Sequence, residues 1–153
     1  MKIYLETEVA GNFQDVFAQF DQSLFEQLAP PFPPVELLRF DGSRPGDEYL
    51  IELKLPLLQQ QWHGRITEAG ANDSECWFVD EGLRMPFFLA FWHHRHTVRQ
   101  QGDHCVIIDD IEYRAPFSWL TVLLYPTMWA QFAYRKPLYR KIFGRPDSVG
   151  VGS

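Results

Sequence analysis

The chain has 153 residues, 46% of them apolar, which suits one domain with its own core. A formal charge of -6 argues against nucleic-acid binding through phosphate contacts. The 16% aromatic share points to a large core or an aromatic-lined cavity.

Residues 2–9 alternate, with Ile3, Leu5, Thr7 and Val9 on one face, and predict a half-buried strand. Gly11-Asn12 breaks it, Asn12 being a good N-cap. Phe13, Val16, Phe17, Phe20, Leu24 and Leu28 then recur at helical spacing. They predict one or two short helices, with a break at Asp21-Gln22-Ser23. Pro30, Pro31, Pro33 and Pro34 stiffen a connector. Strands follow at 35–40, 48–55, 60–68, 74–81, 87–100 and 104–114, separated by Gly-, Pro- and Asp-rich turns. From Trp119 to Phe143 the pattern is helical, with Trp129, Phe132, Ala133, Tyr139 and Phe143 on one stripe. Pro126 is expected to begin a helix and Pro137 to kink or split it. Residues 146–153 have the composition of a flexible tail, which leaves 1–145 as the single domain.

The apolar stretch from Ala115 to Tyr134 is about one membrane span long. Pro126 interrupts it and Ser118, Thr121, Thr127 and Gln131 lie within it, so a buried helix is expected instead. Cys76 and Cys105 lack metal-type spacing and read as small core residues of a reduced compartment. Met1-Lys2-Ile3 runs straight into strand sequence, without a basic-then-apolar leader, and a cytoplasmic location is expected. Arg135, Lys136, Arg140, Lys141 and Arg145 read as a solvated helix face whose cations complement the helix dipole. The alternative is a small anion- or headgroup-binding patch.

The strands 87–100 and 104–114 carry the densest chemistry. Trp92, His94, His96 and Val98 share one face of the first, and Cys105, Ile107, Asp109, Ile111 and Tyr113 one face of the second. A two-residue turn at Gly102-Asp103 pairs Val98 with Ile107, His96 with Asp109, His94 with Ile111 and Trp92 with Tyr113. A one-residue slip would turn one set outward. Buried polar groups need partners. The cluster is therefore a binding feature or a polar network within the core. Aspartate beside imidazole suits ligand orientation, a structural network, or general-base work by His96 backed by Asp109. His94 and His96 at i, i+2 with Asp109 form a possible zinc set, but no HExxH or CxxC accompanies them, and neither metal nor cofactor is expected. His63 is expected to be exposed. GxSxG, P-loop and GxGxxG motifs are absent.

Several blocks resemble an uncharacterised bacterial branch of the START-like, or SRPBCC, superfamily. They are Leu28-Ala29-Pro30-Pro31-Phe32, Trp62-x-x-x-Ile66, Phe78-Val79-Asp80-Glu81, Trp92-His93-His94-x-His96 and Asp109-x-Ile111-x-Tyr113-x-x-Pro116. The resemblance runs over about residues 2–144. Relatives carry Gly-Pro after the Phe-x-Asp-Glu block, where this chain has Met85-Pro86 at the expected cavity mouth. A similar domain is sometimes joined to a nucleotide-sugar-epimerase-like domain. The resemblance implies an α+β helix-grip fold. In it a curved antiparallel sheet of about seven strands wraps around a long C-terminal helix, with two short helices after the first strand. It also implies a cavity for a small hydrophobic or amphipathic ligand, and it carries over no catalytic residues.

The expected lining is Trp62, Phe78, Asp80, Trp92, His94, His96, Asp109 and Tyr113, with aromatic walls and a few polar groups. The leading expectation is a ligand-binding module. The alternative is a cyclase, dehydratase or hydrolase using His96 and Asp109, with Tyr113 or His94 at the oxyanion. A third reading is peripheral membrane contact through the aromatic C-terminal helix. Ligand identity and oligomeric state stay open.

Overall fold

The computed structural model describes residues 1–146. All but the first residue of the expected tail lies outside them. Seven antiparallel strands form one sheet in the order β1-β7-β6-β5-β4-β3-β2. In chain order the elements are β1 (Lys2–Ala10), α1 (Phe13–Ala18), α2 (Gln22–Gln27), β2 (Val35–Phe40), β3 (Glu48–Leu55), β4 (Leu58–Ala71), β5 (Glu75–Arg84), β6 (Phe91–Gln101), β7 (His104–Arg114), α3 (Ser118–Ala133) and α4 (Arg135–Phe143). Asn12 and Asp21 cap α1 and α2, their side chains accepting from Gln14 N and Leu24 N.

The β6–β7 register is the one the alternation demands, with His96 opposite Asp109 and Trp92 opposite Tyr113. β4 is longer than expected because Leu55 and Leu58 pair across a tight Pro56-Leu57 turn, Leu57 taking a φ of 64°. Register shifts at His63/Gly64 and Ile66/Glu68 bend it against β5. β6 begins at Phe91 rather than 87. Leu89 N donates to Pro86 O, a turn that buries Leu89 and leaves Phe87 exposed.

The C-terminal helix is split, as expected near Pro137, and differs from expectation at Pro126 and Trp129. Pro126 lies inside α3. The carbonyl it leaves unpaired belongs to Val122, an exposed residue whose backbone can turn to water. The helix divides at Tyr134, and Pro137 sits in the first turn of α4, where a missing N–H costs little. Met128 and Phe132 are buried, whereas Trp129, expected on the inward stripe, is exposed along with Trp119, Val122 and Leu123. None of the described helices is long and apolar enough to cross a membrane.

Two apolar clusters flank the sheet's concave face. One joins α1, α2 and α4 to the sheet through Phe13, Val16, Leu24, Cys105, Ile107 and Tyr139. The other joins α3 through Ile3, Trp92, Ile111, Tyr113, Met128 and Phe132. Cys76 and Cys105 are free and buried. The polar residues of β6 and β7 lie at the seam between the clusters.

Candidate functional site

The site is built from β3, β5, β6 and β7. Their inward faces supply Tyr49, Asp80, Trp92, His94, His96 and Asp109, all buried. Tyr49 Oη and Trp92 Nε1 both donate to Asp80 Oδ1, at 2.7 and 2.8 Å. Asp80 Oδ2 lies 3.1 Å from His94 Nδ1. His94 Nε2 lies 2.9 Å from Asp109 Oδ1, and the same oxygen faces His96 Nδ1 at 3.2 Å. The result is one continuous chain: Tyr49, Asp80, His94, Asp109, His96.

A carboxylate oxygen accepts, so each ring nitrogen facing one carries a proton. His94 faces a carboxylate on both sides and is an imidazolium. Burial opposes that charge, but Asp109 and Asp80 outweigh it and raise the pKa from 6.5 to about 9. Burial likewise pushes the Asp109 carboxyl up. The hydrogen bonds from His94 and His96 reverse this and hold it well below the usual range. Asp80 is also lowered, its burial outweighed by His94, Tyr49 and Trp92. At His96 burial prevails over the single carboxylate and lowers the pKa. The ring is neutral, with its proton on Nδ1 and no partner for Nε2. Two carboxylates against one imidazolium leave the chain with a single net negative charge.

His94, His96 and Asp109 each offer a donor atom within 4.8 Å of the others. A metal there would have to displace the ring protons that now face Asp109.

Beside this chain lies a cavity of about 440 Å³. It is enclosed by β2–β6 on one side, α3 on the other, and α2 with the proline connector across the end. Its walls are mostly apolar, with Leu37, Ile51, Leu53, Phe88 and Met128 among them. Of the residues expected to line it, Trp62, Asp80, Trp92 and His94 do. Trp62 meets Trp92 edge-on, 4.7 Å between ring centroids. Phe78, His96, Asp109 and Tyr113 are elsewhere. The His96 ring is covered by Phe20 at 4.2 Å and Phe78 at 5.0 Å. Asp109 is enclosed between the two histidines. Tyr113 is fully buried, its hydroxyl donating to Thr121 O on α3 at 2.8 Å. All eight were expected to line the cavity, but Phe20 of the α1–α2 link and helix α3 pack directly on parts of the sheet's inward face and leave only its middle open.

The sequence reading missed Tyr49, whose alternation with Ile51 and Leu53 marks it as inward. It also missed Arg135, read as a solvated cation, which turns into the cavity wall. His63, expected to be exposed, is half-buried, with Nε2 3.3 Å from Glu48 Oε2.

Tyr49 depends on Gly64, its cross-strand partner. A Cβ at Gly64 would collide with the Tyr49 ring. Gly64→Ala is expected to cost about 1–3 kcal/mol by overpacking and to displace Tyr49 from Asp80. Urea unfolding checks this, and a variant as stable as the parent refutes it.

No family model and no curated protein matches the chain. Solved structures match in fold. A nucleoside-diphosphate sugar epimerase from Corynebacterium glutamicum matches at 22% identity and a TM-score of 0.67, over 91% of this chain but only 28% of that one. Norcoclaurine synthase from Thalictrum flavum, in complex with dopamine and hydroxybenzaldehyde, matches at 15% identity and a TM-score of 0.65, over 100% of this chain and 88% of that one. An aromatase/cyclase from Streptomyces sp. R1128 matches at 12% identity and a TM-score of 0.63, over 93% and 95%. With its seven-stranded antiparallel sheet, paired short helices and C-terminal helix, the chain has the helix-grip fold.

Proposed function

We propose that this protein binds a small apolar or amphipathic molecule in the cavity between the sheet and α3. The observation that carries the reading is the cavity itself. Its volume of about 440 Å³ suits a small molecule, and apolar walls converge there with Asp80 and His94. Asp80 and His94 are held by their neighbours, so the polar wall is pre-organised rather than mobile. A structural neighbour that holds dopamine and hydroxybenzaldehyde supports the use of this fold for small aromatic molecules. The free, buried cysteines suit the reducing cytoplasm.

Acid–base catalysis by His96 and Asp109 has less support. Neither residue lines the cavity, and both nitrogens of His94 are already engaged.

The test uses the neutral fluorescent probe N-phenylnaphthylamine. Wild-type protein is expected to bind it saturably, one molecule per chain. Ile51→Trp, which fills the cavity from β3, is expected to weaken binding at least about tenfold while the protein still melts cooperatively. Absence of saturable binding, or binding indifferent to Ile51→Trp, defeats the reading.

A further inference from the structure

The kind of molecule that fits follows from which polar groups on the cavity wall lack partners. The deep acceptors are occupied. Asp80 already receives Tyr49, Trp92 and His94. The His94 charge lies between two carboxylates. At the rim, Gln131 Nε2 donates to Phe32 O at 2.9 Å, and Glu26 is exposed and accepts from Gln22.

What remains open is a donor with a full charge. Arg135, at the start of α4, lines the cavity and is half-buried. Its guanidinium carbon lies 4.5 Å from the Phe132 ring centroid and 5.9 Å from that of Phe25. These two rings, one from α3 and one from α2, hold the fork at the cavity edge. Its polar neighbour is the buried Tyr139 hydroxyl, which is neutral, and among the described residues no carboxylate pairs with it. Its charge is nonetheless felt inside, where it favours the ionised form of Tyr49 and the neutral form of His96. A second, neutral donor, Trp62 Nε1, is also buried without an acceptor.

We infer that the cavity takes an amphipathic carboxylate, its apolar body against Leu37, Ile51 and Leu53 and its carboxylate paired with Arg135. The inference rests on the small-molecule reading above and narrows it. A guanidinium fork matches the planar carboxylate in a bidentate manner. One uncompensated cation suits one negative charge. A doubly charged phosphate monoester would leave its second charge facing a cavity floor that is already net negative.

Three matched probes test this by titration calorimetry at neutral pH and low salt: naphthylacetic acid, naphthylethanol and naphthylethylamine. The acid is expected to bind wild-type protein at least about tenfold more tightly than the alcohol. Arg135→Gln is expected to abolish that preference, the acid then binding no more tightly than the alcohol. Arg135→Lys keeps the charge without the fork and should retain part of the preference. If Arg135→Gln does not fold, the wild-type and Arg135→Lys comparisons decide. The inference is overturned if the acid binds no better than the alcohol, if the preference survives in Arg135→Gln, or if the amine binds best. In those cases the cavity reading stands. If none of the three binds a folded protein, the cavity reading fails and takes this inference with it.

Discussion

Asp109→Ala is expected to destabilise the protein by about 3–5 kcal/mol, the usual cost of removing one partner from a buried ion pair. For a chain of this length that corresponds to a fall in Tm of about 10 °C. Asp109 Oδ1 accepts a hydrogen bond from each histidine, and both rings are buried with it. Its loss strips His94 of one of two counter-charges. It also leaves both nitrogens of His96 unsatisfied, since Nε2 already has no partner. Asp109→Asn separates charge from shape, because the amide oxygen can still accept from both rings. It is expected to cost less than the alanine variant and to lower the His94 pKa. Urea unfolding near pH 6.5 measures both variants' stabilities, and NMR titration of the imidazole resonances reads the His94 pKa. An alanine variant within about 1 kcal/mol of wild type would mean that no buried ion pair exists here.

Alkaline pH is expected to weaken the fold well before lysines or tyrosines titrate. The pKa of His94 rises from 6.5 in the unfolded chain to about 9 in the folded one. Below 6.5 both states hold the proton and the stabilisation is fully present. Between 6.5 and 9 only the folded state holds it, so stability falls with rising pH, and it is lost above 9. The difference corresponds to on the order of 3 kcal/mol. On the acid side the signs reverse. The lowered His96 pKa means that protonation opposes folding as pH drops below 6.5. The lowered carboxyls of Asp80 and Asp109 lose their stabilisation only at lower pH. Stability should therefore peak near neutrality. Unfolding free energies measured across pH 5–10 check this, with His94→Gln as the comparison. If the alkaline fall is equally steep in His94→Gln, another group is responsible.

Both results concern a cluster that was partly legible in the chain. His96 and Asp109 could be paired from residue order because strand side chains alternate with period two and the turn at Gly102-Asp103 is short. Together these leave one register in which both apolar faces agree. The second contact of Asp109, with His94, is a diagonal one. It depends on how the rings turn within the core, and alternation carries no information on that. Asp80 was expected at the cavity wall, but its partner Tyr49 lies 31 residues away. That pairing depends on the sheet order, which brings β3 and β5 to either side of β4.

By itself the sequence determined the element order, the inward faces of β1, β6 and β7, the β6–β7 register, the Asn12 cap and the presence of a polar cluster in an apolar core. All of these follow from local periodicity and turn chemistry. Only the tertiary structure decided which part of the inward face is open. The packing of Phe20, from the α1–α2 link, over His96 and of α3 over Tyr113 closes two regions, and the path of the proline connector leaves a third as the cavity. It also decided that Arg135 turns inward, because the break at Tyr134 lets α4 start between Phe25 and Phe132. Those outcomes depend on contacts between residues far apart in the chain, where a residue's environment is set by what packs against it.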